Sequence, residues 1–204
     1  MKTLGARTAA VLVILVCLVG GAGCNARVPL GLDADFASAG VDKILLLPVI
    51  DARPERLDYV VISRNVADAT VRIMGEKGYL VSESDAYGQR PTGPIDIDTV
   101  EAKGLAALAP EDARCFLVVQ VERMDRSVDE LGASYSVRLS ALLVDRDAVR
   151  VLWRDTASAS NNLTGMLTVL AHGSSQYEAA VNATRTLFET LPLHPDVEKI
   201  KKKH

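Results

Sequence analysis

Apolar and polar residues follow the period of a strand in some segments of this chain and the period of a helix in others. The boundaries between these segments mark the predicted elements. Lys43 to Ile50 (KILLLPVI) is a short continuous apolar run, which predicts a strand covered on both faces. Pro48 implies that the C-terminal end of this strand lies at an edge of the sheet or leaves the sheet. From Asp58 to Gly78 the period is helical, with Asp58 as the predicted N-cap and Gly78 just past the end. The buried stripe of this helix comprises Tyr59, Ile62, Val66, Ala69, Ile73 and Met74.

The second half of the chain shows the strand period most clearly. In the strand predicted at 135–144, apolar side chains alternate with Ser136, Arg138 and Ser140. The short link at 145–147 predicts an antiparallel hairpin to a strand at 149–158 that presents Val149, Val151 and Trp153 on one face. The other predicted elements are strands at 79–82 and 116–124, a short helix at 97–108 that stops before Pro110, and a helix at 174–191 capped by Ser174, with Tyr177, Ala180, Val181, Leu187, Phe188 and Leu191 on its inner face.

The predicted order is therefore β-α-β-α-β-β-β-α. Helices and strands interleave at first and consecutive strands follow, which favours an α/β fold, a two-layer sandwich. We expect a mixed sheet of about five strands with the helices packed on it.

The N-terminus has the organisation of an export signal. Lys2 and Arg7 form a basic start, and Ala9 to Val19 is an uncharged apolar stretch too short to anchor the protein across a bilayer. The small residues before Cys24 (GGAG) resemble a lipobox, in which the cysteine thiol receives a lipid group and the cysteine becomes the first mature residue. An ordinary secretory signal cleaved near Ala22 or Ala26 is the alternative.

A lipid-modified Cys24, carrying diacylglycerol and palmitate, would hold the protein at a membrane permanently, because two acyl chains already suffice. Lipoproteins that are retained at the inner membrane usually carry Asp at the following position. Asn25 therefore points, by resemblance, to the outer membrane, with the domain facing the periplasm.

These boundaries divide the chain into four parts. Residues 1–23 are the predicted signal peptide, and residues 24–41 are the lipidated cysteine and a tether containing Pro29, Gly31 and Gly40. Residues 42–192 form the predicted periplasmic α/β domain, and residues 193–204 form a basic tail.

Charge and cysteine content narrow the set of partners. The chain carries 23 basic and 26 acidic residues, and loss of Lys2 and Arg7 with the signal leaves the mature chain with about five net negative charges, so nucleic acid is not predicted as a partner. Cys115 heads an apolar run and is expected to be a buried, inert thiol.

No arrangement of residues predicts catalysis. His172, His194 and His204 lack the spacing of a metal site, and phosphate-binding loops and nucleophile elbows are missing from the sequence. Asp125, Asp129 and Glu130 around Arg126 could form a carboxylate pair for hydrolysis, but they fall at a predicted hairpin bend where charges are common. We therefore predict no catalytic residues, no metal, no cofactor and no small-molecule substrate.

Two segments are candidates for binding a protein partner. Leu163 to Leu170 is rich in apolar residues, with Gly165 near its start and Gly173 after its end. It is either a short core-facing helix or an exposed docking patch formed by Leu163, Met166, Leu167 and Leu170. The turn-rich stretch from Asp85 to Asp96 is the second candidate, with Tyr87 and Arg90 as its contact residues.

Three short motifs carry a family resemblance. Ile44 to Pro48 with Asp51 after it, Gly78-Tyr79, and Leu143 to Asp145 leading into Val151 to Trp153 resemble a family of bacterial outer-membrane lipoproteins. Members of this family look like the N-terminal domain of TolB and the periplasmic part of the curli-export lipoprotein. The resemblance covers residues 42 to 190 and implies a binding module without catalytic residues, serving envelope transport or secretion assemblies.

The sequence thus favours a non-enzymatic outer-membrane lipoprotein that binds other envelope proteins or a second copy of itself. A lipoprotein activator of a peptidoglycan synthase is an alternative, although residues 25–41 make a short tether for crossing the periplasm. An envelope hydrolase that uses Asp and Glu side chains is a third hypothesis.

Overall fold

The computed structural model describes residues 27–54, 59–84, 94–129, 132–164 and 172–197. Its strands are β1 (Gly31–Leu32), β2 (Lys43–Leu46), β3 (Ile50–Asp51), β4 (Leu80–Glu83), β5 (Cys115–Asp129), β6 (Gly132–Asp145) and β7 (Arg150–Thr164). Its helices are α1 (Tyr59–Glu76), α2 (Ala102–Leu105) and α3 (His172–Phe188), and short 3-10 helices cover Phe36–Ser38 and Ala106–Leu108.

The strands form one mixed sheet in the order β1-β7-β6-β5-β2-β4, and β3 also pairs with β5. β2 is parallel to both β4 and β5, whereas β5, β6 and β7 form an antiparallel meander. The α/β class and the order β-α-β-α-β-β-β-α are confirmed. The two-residue strands β1 and β3 add to the five predicted strands.

The two long helices, α1 and α3, pack on one face of the sheet and enclose the larger core. Its side chains include Ile62 and Val66 of α1, Leu139 of β6, and Phe188 of α3. The short helix α2 covers part of the opposite face over a smaller cluster that contains Phe116 and Leu142. The result is a two-layer sandwich with a small second core behind it.

The first predicted strand is interrupted at Pro48. β2 ends at Leu46, and the chain pairs with β5 again only at Ile50 and Asp51. Proline has no N–H to donate to a neighbouring strand, so the single strand predicted at 43–50 becomes two.

A bulge changes the faces of the last hairpin. The pairing shifts from Leu143 opposite Trp153 to Val144 opposite Val151, so Leu152 is an extra residue. Val151 and Trp153 therefore join different cores, and Val149, with φ 49°, lies in the turn and is half exposed. The prediction that these residues share one face is wrong.

Both later helices differ from their predicted bounds. The helix predicted at 97–108 begins only at Ala102, because the Asp96 side chain accepts hydrogen bonds from the Asp98 N–H (3.1 Å) and the Thr99 hydroxyl (2.7 Å) and holds a turn there. α3 runs from His172 to Phe188 rather than from 174 to 191, so Ser174 lies inside it rather than capping it. Tyr177, expected on its inner face, is 41% exposed.

The folded domain extends beyond both predicted ends. In the segment predicted as a tether, Gly31 and Leu32 pair with Arg154 and Trp153 of β7, and Phe36 is buried. After 192, the His194 ring packs edge-on against Tyr79 (5.6 Å between centroids) and lies 2.9 Å from the Asp42 carboxylate. The structure therefore corrects the domain bounds of 42–192 outward on both sides.

Candidate functional site

The three longest strands continue well past the parallel part of the sheet and form a three-stranded arm. We define the arm as Arg123–Asp129 of β5, Gly132–Arg138 of β6 and Ser158–Thr164 of β7. Its pairing runs without a break from Arg138 opposite Arg123 and Ser158 to Gly132 opposite Asp129 and Thr164. A bulge between Val121 and Arg123 marks where the arm leaves the body of the sheet.

The arm has one apolar and one polar face. Tyr135 and Val137 point to the helical side and are fully buried, with Met124 and Ala159 packed against this core. The opposite face carries short hydroxyl side chains, and we call it the hydroxyl face. Its members are Ser127, Ser134, Ser136, Ser158 and Ser160, with Arg123, Asp125 and Arg138 among them.

The charges on the hydroxyl face are paired. Arg138 donates to Glu122 at 2.7 Å, and Arg123 lies 2.7 Å from Asp125. Arg123 and Arg138 are direct cross-strand neighbours, an arrangement that repels unless each guanidinium has its own carboxylate. Because these pairs are exposed, each contributes at most about 1 kcal/mol to stability.

β7 forms the open edge of the arm. In the described part of the chain, β7 pairs on its outer side only with β1, at Trp153 and Arg154. From Ala157 to Thr164 it pairs with β6 alone among the described residues, which leaves the outward N–H and C=O groups of alternate residues along this stretch available to an added strand. Such an edge is the usual template for pairing with another chain.

The predicted docking segment at 163–170 begins at the tip of this arm. Asn162, Leu163 and Thr164 continue β7, and Leu163 pairs with Ala133. A helix beginning at Leu163 is therefore excluded. Met166, Leu167 and Leu170 lie outside the described residues, so their role stays a prediction.

The second predicted segment, Asp85 to Asp96, follows β4, which belongs to the body of the sheet rather than to the arm. Tyr87 and Arg90 lie outside the described residues, but both ends of their loop are placed. Ser84 follows β4, and the buried Gln120 side chain holds Ile95 by two hydrogen bonds, from the Ile95 N–H (2.8 Å) and to the Ile95 carbonyl (3.2 Å). A polar residue within the apolar run of β5 was the sequence signal for this contact.

The structure does not bring the ends of the two predicted segments together. β4 ends at Glu83, level with Leu117 of β5, whereas β7 ends at Thr164, level with Asp129. The separation along β5 is roughly 40 Å at the rise of an extended strand. They are therefore two separate surfaces.

Arg27, which the sequence analysis placed within the tether, joins the N-terminal segment to the domain. Its guanidinium lies 3.0 Å from the carboxylate of Asp155, which is 2% exposed, and it donates to the backbone carbonyls of Thr156 and Thr186. Thr186 lies in the last turn of α3, where carbonyls lack helical partners and attract positive charge. Cys24 and Asn25, the predicted lipidation and sorting residues, lie outside the described residues.

Asp155 is also tied to the core. It accepts hydrogen bonds from the Thr190 hydroxyl (2.6 Å) and the Thr156 N–H (2.7 Å), and Trp153 donates its indole N–H to Thr190 (3.2 Å). Trp153 itself is buried and stacks on Phe188, with 5.5 Å between ring centroids.

Of the titratable side chains considered for chemistry, Cys115 is buried and Asp125 is paired in an exposed ion pair. Burial, followed by repulsion from the Asp145 carboxylate, raises the pKa of the Cys115 thiol to about 11, so the thiol is protonated at neutral pH, as predicted for an inert cysteine. Of the carboxylates considered for hydrolysis, Asp125 is the exposed partner of Arg123. No group of three or more His, Cys, Asp or Glu side chains in the described ranges is arranged to hold a metal ion.

A cavity of about 610 Å³ opens beside β2 and β4 next to the loop that precedes β5. Its rim carries charges of both signs, from Asp42, Lys43, Glu83, Asp112 and Arg114. It lies far from the tip of the arm.

Comparison with known proteins finds similar structures but no similar sequences. No protein-family profile matches the chain, and no characterised protein matches its sequence. Lipoprotein GNA1162 from Neisseria meningitidis is 22% identical over 69% of this chain and 96% of its own, with a TM-score of 0.46. The PelC dodecamer from Paraburkholderia phytofirmans is 13% identical over 74% of this chain and 87% of its own, with a TM-score of 0.47.

A third similar structure is protein XCC0632 from Xanthomonas campestris, of family DUF330, at 12% identity over 86% of this chain and 96% of its own, with a TM-score of 0.48. The structural neighbours are thus bacterial lipoproteins and a DUF330 protein. The likeness to TolB and to the curli-export lipoprotein stays a prediction from the sequence. Among the described residues, no helix has the length and apolar character needed to cross a bilayer.

Proposed function

We propose that this chain is an outer-membrane lipoprotein, anchored through Cys24, whose periplasmic domain is a non-catalytic protein-binding component of an envelope transport or secretion assembly. The observation that carries the binding role is the open edge of β7. Along the eight residues from Ala157 to Thr164, every second residue directs its backbone N–H and C=O away from β6, and the edge ends at the apolar segment 163–170.

The hydroxyl face supports the same role. Serine side chains lose little rotamer entropy when a partner covers them, and each hydroxyl can donate or accept a hydrogen bond. A partner strand on β7 would therefore gain further contacts from Ser158 and Ser160, which are exposed on that face.

The anchor is tested by labelling cells with radioactive palmitate. The wild-type protein should carry the label and fractionate with the outer membrane, whereas Cys24→Ala should lose the label and leave the membrane fraction. A wild-type protein that carries no label, or fractionates with the inner membrane, would contradict the anchor or the sorting step respectively.

The binding surface is tested by photo-crosslinking in living cells. A benzophenone amino acid at Ser158 or Ser160, or at Leu167 in the predicted docking segment, should capture an envelope protein that mass spectrometry can identify. Arg72, exposed on α1 and away from the arm, is the matched control position. Equal capture from Arg72 and Ser160 would contradict a specific surface on the arm.

The contacts of Arg27 argue against the alternative of a peptidoglycan synthase activator. Arg27 is tied to the core through Asp155, so only Asn25 and Ala26 separate the predicted anchor from a residue fixed on the domain. Two residues cannot carry the domain across the periplasm from the outer membrane.

A further inference from the structure

The segment after the predicted anchor is bound to the edge of the sheet. Arg27 contacts Asp155 and two backbone carbonyls, and Gly31 and Leu32 pair with β7. At Gly31 a Cβ atom would lie 2.9 Å from Cγ of Arg154, so glycine permits this close approach. The N-terminal segment therefore has a defined position on the domain.

Chain length limits how far this edge can lie from the bilayer. Cys24 precedes Arg27 by three residues, which span at most about 11 Å when fully extended. If the acyl chains on Cys24 enter the bilayer, the β1 edge of the sheet lies within roughly that distance of the lipid headgroups.

The same segment exposes apolar side chains at alternate positions. Val28 is 80% exposed, Leu30 56% and Leu32 47%. Isolated exposed apolar residues are common on protein surfaces, but a row of them beside a lipid anchor has a natural apolar environment available. The charged groups that follow are already paired, with Arg150 lying 3.3 Å from Asp33 and 3.4 Å from Asp35.

We propose that Val28, Leu30 and Leu32 insert into the interface of the bilayer, so that the sheet stands on its β1 edge with β4 farthest from the membrane. This inference rests on the lipid anchor proposed above. Five strand spacings separate β1 from β4 in the sheet order, which is roughly 24 Å. Since β7 is next to β1, its open edge lies on the membrane side, and a strand that pairs with it must belong to a protein held at the same surface.

Site-directed spin labelling of the mature lipoprotein in vesicles of phosphatidylethanolamine and phosphatidylglycerol tests this orientation. Single cysteines replace Val28, Leu30 or Leu32, and Leu80 of β4 and Val61 of α1 serve as matched controls, being 65% and 53% exposed apolar positions elsewhere on the domain. Labelling of the introduced thiol is selective because Cys115 is buried and protonated. Mass spectrometry of the N-terminal peptide establishes beforehand that Cys24 is lipidated.

Nitroxides at Val28, Leu30 and Leu32 should gain accessibility to oxygen and lose accessibility to a water-soluble nickel complex when the protein is moved from detergent to vesicles. Nitroxides at Leu80 and Val61 should stay fully accessible to nickel. A lipidated protein whose labels at 28, 30 and 32 are as accessible to nickel as the label at 80 would overturn the orientation while leaving the anchor intact. Labels shielded from both reagents and broadened by a neighbouring spin would show a second copy on this edge and would also overturn it, whereas a missing lipid would refute the anchor itself.

Discussion

Arg27 shows how one residue ties the N-terminal segment to the fold. Its guanidinium compensates the buried Asp155 carboxylate, satisfies a carbonyl in the last turn of α3, and lies next to the hydrogen-bonded chain from Asp155 through Thr190 to Trp153. No local pattern indicates this role, because a basic residue between Ala26 and Pro29 is as common in a tether as in a folded segment. Only the register of β1 on β7 brings Arg27 to Asp155.

Arg27→Ala should lower the free energy of unfolding by about 1–3 kcal/mol, since it leaves a buried carboxylate short of a charged partner. Urea unfolding of the detergent-solubilised mature protein, followed by the fluorescence of Trp153, measures the change. Arg123→Ala is the matched control: its exposed ion pair should contribute less than about 1 kcal/mol. Equal losses of unfolding free energy in the two variants would contradict a stabilising contact between Arg27 and Asp155.

Cys115 makes the stability of the protein depend on pH in the alkaline range. Its thiol has a pKa of about 11 in the folded protein against 9.0 as the ordinary value, because burial opposes the thiolate. Between these two pH values the folded state keeps a proton that the unfolded chain loses, so this contribution to stability is full below pH 9 and declines as the pH rises toward 11. The free energy of unfolding should therefore fall more steeply over this range in the wild type than in Cys115→Ala, and parallel curves would contradict it.

At the scale of elements, the arm is the feature that strand periodicity predicts best. The alternation of Ser136, Arg138 and Ser140 with apolar residues placed a polar face on β6, and the structure confirms that face for Ser136 and Arg138. The length of the arm was not predictable. β5 and β7 extend five and six residues past their predicted ends, because hydrogen bonds to β6 keep these residues extended although their sequences do not alternate between apolar and polar.

Ser160→Lys should abolish capture of a partner by the arm without unfolding it. A lysine beside an open strand edge disfavours the addition of another strand, and an exposed substitution of this kind changes stability by only about 0.5 kcal/mol. Co-purification from crosslinked cells measures capture, and Arg72→Lys is the control. Unchanged co-purification with Ser160→Lys would contradict binding along β7.

Leu167→Asp distinguishes the two hypotheses for the segment at 163–170. A docking patch predicts a protein with unchanged unfolding but without its partner, whereas a core-facing segment predicts a loss of stability of about 2 kcal/mol or more, because a charge would be buried. We expect the first result, since β7 delivers this segment to the tip of the arm. Circular dichroism during urea unfolding, together with co-purification, separates them.

For the whole molecule, the sequence predicted the class and order of the fold because the helix and strand periods come from burial against a single sheet. It misplaced the two domain ends because Gly31 and His194 are held by contacts with residues more than 100 positions away, which no local pattern records. It placed neither β1 nor the bulge at Leu152, both of which depend on cross-strand pairing. The candidate docking residues were predicted from local composition. The open edge of β7, in contrast, can be recognised only when the order of the strands in the sheet is known.

Together with the proposed anchor at Cys24, these features would place the domain close to a membrane, with one long strand edge open to a neighbour. Photo-crosslinking from Ser160 in cells, compared between the wild-type anchor and Cys24→Ala, tests this combination most directly. We predict a discrete crosslinked envelope protein from Ser160 in the anchored protein, its loss in Cys24→Ala, and no product from Arg72. The same products from Ser160 and Arg72, or a product from Ser160 that is unaffected by Cys24→Ala, would contradict the account.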